Sequence, residues 1–144
     1  MNTSTVKQIS VFLENKPGRL ARVTQMLGEA RINIRAFMVA EAGEFGMIRV
    51  IVDDPGKAMK LLSAKGLVCR SADVACVEIP DEVGQLAQIS RLLSESSVNI
   101  DYAYAFMTGS GKAVIVLRLD DTERGAKALA GRYRLLGTED IEVI

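Results

Sequence analysis

The strongest constraint on this chain is an internal repeat. Residues 11–39 align without a gap with residues 77–105, and after one inserted residue the match resumes where Asp53-Asp54 aligns with Asp120-Asp121. A repeat of this length indicates two supersecondary units related by duplication, so a site built by one copy is expected to have a counterpart in the other. The identical pairs include Val11/Val77, Gly18/Gly84, Leu20/Leu86, Ala21/Ala87, Leu27/Leu93, Glu29/Glu95, Asn33/Asn99 and Ile34/Ile100.

The balance of charge argues against two classes of partner. The chain has 144 residues and a formal net charge of zero, from 18 Lys and Arg against 18 Asp and Glu. Nucleic-acid binding needs a strong positive field, so neither a nucleic acid nor a membrane surface is an expected partner. No apolar run is long enough to span a bilayer. Because Met1–Thr5 lacks the features of a signal peptide, a cytoplasmic location is expected.

The absence of histidine removes much enzyme chemistry. Without histidine there is no Ser-His-Asp or Cys-His nucleophile, no histidine general base and no ordinary zinc site. The two cysteines, Cys69 and Cys76, form no CxxC pair and lie seven residues apart in a predicted strand, with side chains on opposite faces. They are expected to be buried free thiols. We therefore expect no metal, no cofactor and no catalytic residues.

Each copy is predicted to follow the order strand, helix, strand, strand, helix, strand. In the first copy a strand with alternating apolar residues precedes the turn Glu14–Gly18, and Leu20, Val23 and Leu27 mark the apolar face of the following helix. The remaining elements of the first copy are a strand at 33–40, a hairpin at 43–46, a strand at 47–52 and a helix that begins at Asp53-Asp54-Pro55 and ends near Gly66.

The second copy repeats this order. Its predicted elements are a strand at 76–79, a turn at 80–84, a helix marked by Leu86, Ile89, Leu92 and Leu93, a strand at 99–107, a hairpin at 108–111, a strand at 113–119, a helix from Asp121 through Ala130 and a closing strand at 140–144. The fold class is α+β: two ferredoxin-like βαββαβ units in tandem, with antiparallel sheets and helices on one face. The expected domains are 1–73 and 74–144, and residues 67–79 supply strands to both without a flexible linker.

Several strands are apolar on both faces. Between residues 47 and 52, Ile48 and Val50 share one face, whereas Met47 and Ile51 lie on the other. A sheet with helices on one side needs only one apolar face. The second face is therefore expected to be covered by another layer, from the other copy or from another chain.

A motif found in both copies resembles the signature of the ACT domain. The first copy has Asn15-Lys16-Pro17-Gly18-Arg19-Leu20-Ala21 followed by Ile32-Asn33-Ile34, and the second has residues 81–87 followed by Val98-Asn99-Ile100. The resemblance covers roughly residues 6–72 and 74–144. It implies a non-catalytic regulatory protein of amino-acid metabolism that binds an amino acid or similar metabolite where ACT units pair. It also implies a homodimer and a partner enzyme or transporter on which the protein acts.

In this family the first turn of one unit and the start of the second strand usually build the site. The corresponding candidate ligand-binding residues are Asn15, Lys16, Gly18, Arg19, Leu20, Asn33 and Ile34 in the first copy, and Asp81, Val83, Gly84, Leu86, Asn99 and Ile100 in the second.

Elementary chemistry supports these positions. Gly18 and Gly84 lie in the first turn of a helix, where free N–H groups favour an anion such as an α-carboxylate, and glycine permits close approach. The amides of Asn33 and Asn99 can address both a carboxylate and an ammonium group. Leu20 and Leu86 can form an apolar wall of the ligand pocket. Taken singly, each residue is explained equally well as part of a turn, a cap or a core.

The two copies differ in charge at the turn. Lys16 corresponds to Glu82, Asn15 to Asp81 and Pro17 to Val83. The first turn suits a carboxylate, and the second suits an ammonium through Asp81. We therefore predict unequal affinities.

Two other functions remain open. The chain could be a ligand-free module that only dimerises or forms a scaffold. It could also be an enzyme that uses the same topology, since a fold does not determine a function. Acylphosphatase-like chemistry needs an anion-binding loop with an arginine and an asparagine, and of these only Arg19, next to the turn, is recognisable.

Overall fold

The chain folds into two compact units. The structure, a computed structural model, describes residues 4–143. One unit is Lys7–Ala72, and the other consists, within the described residues, of 73–143 together with 4–6. Within residues 4–143, no helix has both the length and the apolar character needed to cross a membrane.

The first unit has the predicted order of elements. Its middle strand, β3, pairs antiparallel with β1 (Val11 opposite Ile48) and with β2 (Phe37 opposite Val50). The hairpin is shorter than predicted, because Phe45 already pairs with Glu14 and belongs to the strand. The elements are β1 (Val6–Glu14), α1 (Arg19–Glu29), β2 (Ile34–Ala42), β3 (Phe45–Val52), α2 (Pro55–Ala64) and the beginning of β4 (Val68–Pro80).

The two helices of this unit cover one face of its sheet. Val23 and Leu27 of α1 are fully buried, and Ile48 and Val50 of β3 belong to the same apolar cluster. The predicted helix start at Asp54 is confirmed, since its carboxylate accepts a hydrogen bond from the Lys57 amide at 3.1 Å. The remaining buried members of this core are Ile9, Val11, Ile32, Val52, Ala58 and Leu62.

The second unit repeats the arrangement. Strand β6 pairs antiparallel with β5 and with β4, and Cys76 of β4 pairs with Val116 on one side and Leu136 of β7 on the other. Ile89 and Leu93 pack against Ile115 and Leu117 in its core. Its elements after β4 are α3 (Gln85–Glu95), β5 (Ile100–Met107), β6 (Lys112–Leu119), α4 (Thr122–Ala130), β7 (Arg134–Leu136) and α5 (Thr138–Val143).

The closing strand predicted at 140–144 is wrong. The last strand is β7, and the chain then turns at Gly137 into the short helix α5. The Asp140 carboxylate accepts a hydrogen bond from the Gly137 amide at 2.8 Å, and the Gly137 carbonyl accepts one from the Ile141 amide at 3.2 Å. Acidic residues in a first turn also stabilise the helix N-terminus. Ile144 lies outside the described residues.

Strand β4 is continuous from Val68 to Pro80, where the sequence predicted strand without a linker. It carries both cysteines, which are free thiols. Cys76 is buried as predicted, and burial raises the pKa of its thiol to about 12. Cys69 is only half-buried, with its sulfur 3.4 Å from the Ser63 hydroxyl.

The second faces of β3 and β6 are covered at several positions, as the apolar pattern predicted. Ile51 is buried although it points away from the face of Ile48. Val114 and Val116 are fully buried although Ile115, between them, faces the helices. Exposed apolar side chains are found at the start of β3, where Phe45 is 61% exposed, and on β2, where Phe37 is 62% and Val39 is 52% exposed.

The helices α1 and α3 end in the same way. Each is followed by a non-glycine residue in the left-handed region, Arg31 at φ 59° and Ser97 at φ 57°. The next amide then returns to the helix, from Ile32 to the Leu27 carbonyl and from Val98 to the Leu93 carbonyl, both at 2.9 Å. The repeat in sequence is therefore a repeat of backbone geometry.

Candidate functional site

The starts of α1 and α3 are open to an outside group. Gly18 and Gly84 occupy the N-cap positions, both at φ 89°, and neither helix start has a side-chain cap. In contrast, Asp54 and Asp121 cap α2 and α4. A Cβ atom built on either glycine would meet no atom within 4 Å, so the space in front of each is free. The Arg19 amide donates to the Lys16 carbonyl at 3.3 Å, so in α1 the amides of Leu20 and Ala21 are the ones available to an anion. In α3 the first amides are available.

The turn before α1 carries two cations around one carboxylate. Lys16 Nζ lies 3.0 Å from Glu14 Oε2, and an Arg19 guanidinium nitrogen lies 3.5 Å from Glu14 Oε1. The hydrogen bond from Lys16, followed by the charges of Lys16 and Arg19, lowers the pKa of the Glu14 carboxyl. The Arg19 Nε atom is buried without a hydrogen-bond partner in the described part of the chain. The turn therefore keeps net positive charge and one unsatisfied donor.

Asn15 fastens this turn to the neighbouring hairpin. Its side-chain amide donates to the Gly43 carbonyl at 3.2 Å, and its main-chain amide donates to the Glu44 carbonyl at 2.8 Å. Asn15 thus shapes the turn through these two bonds. Leu20, on the first turn of α1, is 38% exposed and stands outside the core, where a ligand can reach it.

The turn before α3 has the opposite character. The Asp81 amide donates to the Gly111 carbonyl at 3.0 Å, which ties this turn to the β5–β6 hairpin. Val83 is fully exposed, and Leu86 is 56% exposed. Within residues 4–143, the carboxylates of Asp81 and Glu82 have no ion-pair partner, so the turn is negative.

The two asparagines begin β2 and β5, each beside an aspartate. The Asn33 amide donates to Asp53 Oδ1 at 3.1 Å, and the Asp53 amide donates to the Asn33 carbonyl at 3.1 Å. Asn99 and Asp120 make the same two bonds, at 2.9 and 3.1 Å. The first aspartate of each pair thus holds the start of a strand, and the second, Asp54 or Asp121, caps a helix.

The side chains of these asparagines differ in availability. The Asn33 amide is exposed and makes no side-chain hydrogen bond among the described residues. The Asn99 amide donates to the Asp101 carboxylate at 3.1 Å, which leaves its oxygen free. Asn99 and the half-buried Ile100 line an open cavity of about 400 Å³ together with the serines 90, 94 and 97. Ile34 in the first unit is half-buried against its core.

Within one unit, the structure does not bring the glycines and the asparagines together. Gly18 precedes α1 and Asn33 follows it, and Gly84 and Asn99 flank α3 in the same way. Each helix has 11 residues. At about 1.5 Å per residue, the ends are about 16 Å apart, which exceeds the length of one amino acid. Each unit therefore carries two separate candidate half-sites. The candidate residues of the turn and of the helix start are here called the turn half-site, and the asparagine with the isoleucine that follows it is called the strand half-site.

A basic cleft in the second unit was not predicted from the sequence. Lys112, Arg132 and Arg134 come from different parts of the chain and line it around Glu78. Their only signal in the sequence is the basic pair that flanks Tyr133. Its basic residues lie outside both half-sites, although Gln85, next to Gly84, also lines it.

Comparison with known proteins identifies one family for the chain. A family model described as an ACT domain pair matches residues 4–140. The crystal structure of protein BT0572 from Bacteroides thetaiotaomicron is 35% identical in sequence, with all of both chains covered and a TM-score of 0.92. No curated protein matches the chain in sequence.

Two regulatory subunits of aspartate kinase share the fold. The ligand-free subunit from Thermus thermophilus is 17% identical, with a TM-score of 0.62, and the subunit from Thermus flavus is 19% identical, with a TM-score of 0.63. In each case 90% of this chain and 93% of the other are covered.

Proposed function

This chain belongs to the ACT domain family as a tandem pair, and from that membership we propose that it is a regulatory protein that binds a small metabolite and catalyses no reaction. The observation that carries the proposal is the pair of uncapped helix starts at Gly18 and Gly84. Both glycines have the same φ, and both face open space, whereas α2 and α4 are capped by side chains. The match to an ACT domain pair indicates no catalytic family.

The proposed ligand is an amino acid or a close relative. Its carboxylate would accept hydrogen bonds from the amides of Leu20 and Ala21 in the first turn of α1, with Lys16 and the unsatisfied Nε of Arg19 beside it. Its ammonium group would be met by a side-chain oxygen such as that of Asn33 or Asn99.

Because the two half-sites of one unit are about 16 Å apart, one ligand cannot use both. We propose that the ligand lies where ACT units of two chains meet, in a homodimer. The turn half-site of one unit would then join the strand half-site of a unit in the second chain.

The two turns would bind such a ligand with unequal affinity. Lys16 and Arg19 make the first turn positive, while Asp81 and Glu82 make the second negative. The positive charge at the first turn attracts a carboxylate, and the negative charge at the second turn repels it. We expect the first turn to fill at lower ligand concentration.

The regulated target would be a partner enzyme or transporter of amino-acid metabolism. Two proteins of the same fold are named as regulatory subunits of aspartate kinase, which supports a role in trans. A ligand-free dimerisation module is the second candidate. It is favoured by Phe37 and Val39, which expose apolar surface on β2.

The proposal is tested by a thermal-shift screen of the purified chain against the twenty amino acids. A ligand that binds only the folded state raises Tm with its concentration. The variants are Gly18→Asn and Gly84→Asn, because asparagine tolerates a positive φ better than other side chains. The matched controls are Gly66→Asn and Gly109→Asn, at φ 79° and 80°, where an added Cβ also meets no atom within 4 Å.

We expect a Tm increase with one or a few amino acids, lost in Gly18→Asn and retained in both controls. A shift abolished equally by the controls would contradict the assignment of the turn half-site. No shift with any amino acid, together with a dimer in sedimentation, would favour the dimerisation module.

A further inference from the structure

A cleft of about 350 Å³ opens in the second unit between the start of α3 and the strands β4, β6 and β7. It is called the Arg132 cleft below. Its polar lining is Glu78, Gln85, Gln88, Lys112, Arg132 and Arg134. The cleft adjoins the turn half-site of this unit, because Gln85 is the residue between Gly84 and Leu86. Its charged residues are nevertheless distinct from the candidate ligand-binding residues of the half-sites.

Glu78 organises the wall of the cleft. Its side chain is only 17% exposed and lies 3.3 Å from Lys112 Nζ and 3.7 Å from an Arg134 nitrogen. These cations come from β6 and β7, the strands on either side of β4. Arg134 is also held by Asp140 at 2.9 Å. Two cations are thereby fixed in place, so a ligand would lose less entropy in ordering them.

Three further groups are left to donate hydrogen bonds. Arg132 and Gln88 make no side-chain bond among residues 4–143. The Tyr133 hydroxyl donates to Gln85 Oε1 at 3.0 Å, which occupies the oxygen of that amide and leaves its NH₂ group as a donor. The cleft therefore offers mainly donors, which an anion with several oxygens can satisfy.

The charge of the lining also favours an anion. Three cations, Lys112, Arg132 and Arg134, are set against two carboxylates, those of Glu78 and of Asp140 behind Arg134, which leaves a net positive charge. Guanidinium groups bind phosphate and carboxylate oxygens with particularly suitable geometry. Ile79 and the half-buried ring of Tyr133 add an apolar wall.

The first unit lacks the ion pair of Glu78 and Lys112 at the equivalent positions. The register of the repeat places Phe12 where the second unit has Glu78, and Phe45 where it has Lys112. Instead of an ion pair, the Arg70 guanidinium lies over the Phe12 ring, 6.0 Å from its centroid. The first copy has cations of its own at the positions of Gln85, Gln88 and Arg132, namely Arg19, Arg22 and Lys65. What distinguishes the second copy is the carboxylate of Glu78 beside Lys112 and Arg134.

We propose that the Arg132 cleft binds a small polyanionic metabolite, one that carries a phosphate group or at least two carboxylates. The unpartnered Arg132 is its principal anchor. The ligand enters beside the fixed cations Lys112 and Arg134, and the Gln85 and Gln88 amides complete its hydrogen bonding. This gives the protein a second kind of input besides the amino acid.

The test is a titration of the ¹⁵N-labelled full chain with sodium pyrophosphate and, separately, with succinate, at constant ionic strength. We expect saturable chemical-shift changes at the amides of residues 85, 88 and 132–134 with at least one probe. The probe that saturates distinguishes a phosphate ligand from a dicarboxylate.

The variants are Arg132→Ala and Gln88→Ala, with Lys65→Ala as the matched control because Lys65 occupies the position of Arg132 in the first copy. Loss of one charge-assisted anchor should weaken binding at least about tenfold in Arg132→Ala. The control should bind like the parent chain. Absence of saturable shifts at these amides with both probes, or an equal loss in Lys65→Ala, would overturn the proposal.

Discussion

Asn99 and Asp120 exchange two hydrogen bonds across the start of β5. The Asn99 amide donates to Asp120 Oδ1 at 2.9 Å, and the Asp120 amide donates to the Asn99 carbonyl at 3.1 Å. Asn33 and Asp53 make the same pair in the first unit. This clasp holds each asparagine at the end of the helix opposite its glycine, and so it creates the strand half-site.

We predict that Asp120→Ala destabilises the second unit by about 1 kcal/mol, because the Asn99 amide loses its acceptor. Asp120→Asn should cost less, since its side-chain oxygen can still accept. Urea denaturation of both variants measures the difference. Equal losses in the two variants would show that the clasp contributes nothing.

Gly125 in α4 leaves no room for a side chain. A Cβ atom there would collide with the Leu119 side chain and would lie 3.2 Å from methyl groups of Leu93 and Val98. We predict that Gly125→Ala lowers the free energy of unfolding by about 1–2 kcal/mol, despite the better helix propensity of alanine. Denaturant unfolding at fixed pH measures it.

The first copy provides the matched control for this prediction. Ala58 occupies the equivalent position in α2 and is fully buried. Ala58→Gly should also destabilise, by about 1 kcal/mol, because it loses a packed methyl group and loosens the helix. A more stable Gly125→Ala variant would contradict the packing argument.

Burial of Cys76 makes stability depend on alkaline pH. Its pKa is about 12 in the folded chain, against an ordinary value of 9.0. Because this pKa is raised on folding, the protonated thiol contributes fully to the free energy of unfolding below pH 9. That contribution is lost as the pH rises towards 12. We predict that the unfolding free energy of the parent chain falls more steeply above pH 9 than that of Cys76→Ala.

Unfolding curves between pH 7 and 11 measure this slope, with Cys69→Ala as the control because Cys69 is only half-buried. The slope of the unfolding free energy against pH should differ between the parent and Cys76→Ala by an amount that approaches but does not exceed about 1.4 kcal/mol per pH unit. Parallel pH profiles for the two would refute the assignment.

Lys16 is the main cause of the lowered pKa of Glu14, ahead of Arg19. We predict that Lys16→Ala moves the Glu14 pKa back towards 4.5, its ordinary value, and that Arg19→Ala moves it less. A depressed carboxyl pKa stabilises the fold above its ordinary pKa and ceases to do so as the pH falls through the depressed value. Side-chain NMR titration of Glu14 measures both variants, and a larger effect of Arg19→Ala would contradict the order.

The repeat was sufficient to predict most of the fold. Helix starts at Asp54 and Asp121 follow from local residues whose side chains cap the very next turn. The end of the chain was mispredicted because residues 140–144 alternate like a strand, while the turn at Gly137 and the bond from its amide to Asp140 favour a helix. Local hydrogen bonding thus prevailed over the apolar pattern.

The sites were harder to predict for geometric reasons. Spacing in sequence does not reveal that Gly18 and Asn33 lie at opposite ends of α1. The Arg132 cleft depends on Arg134 lying beside Glu78, and this pairing exists only because β7 is at Arg134–Leu136. With the last strand predicted at 140–144, Arg134 had no assigned neighbour.

The left-handed residues after α1 and α3 reflect the common origin of the two units. Arginine at 31 and serine at 97 hold nearly the same torsion, although glycine would adopt it with less strain. The two halves have therefore drifted apart in chemistry while inheriting one backbone path. The common origin of two such halves can therefore remain visible in their backbone dihedral angles at positions where their residues no longer match.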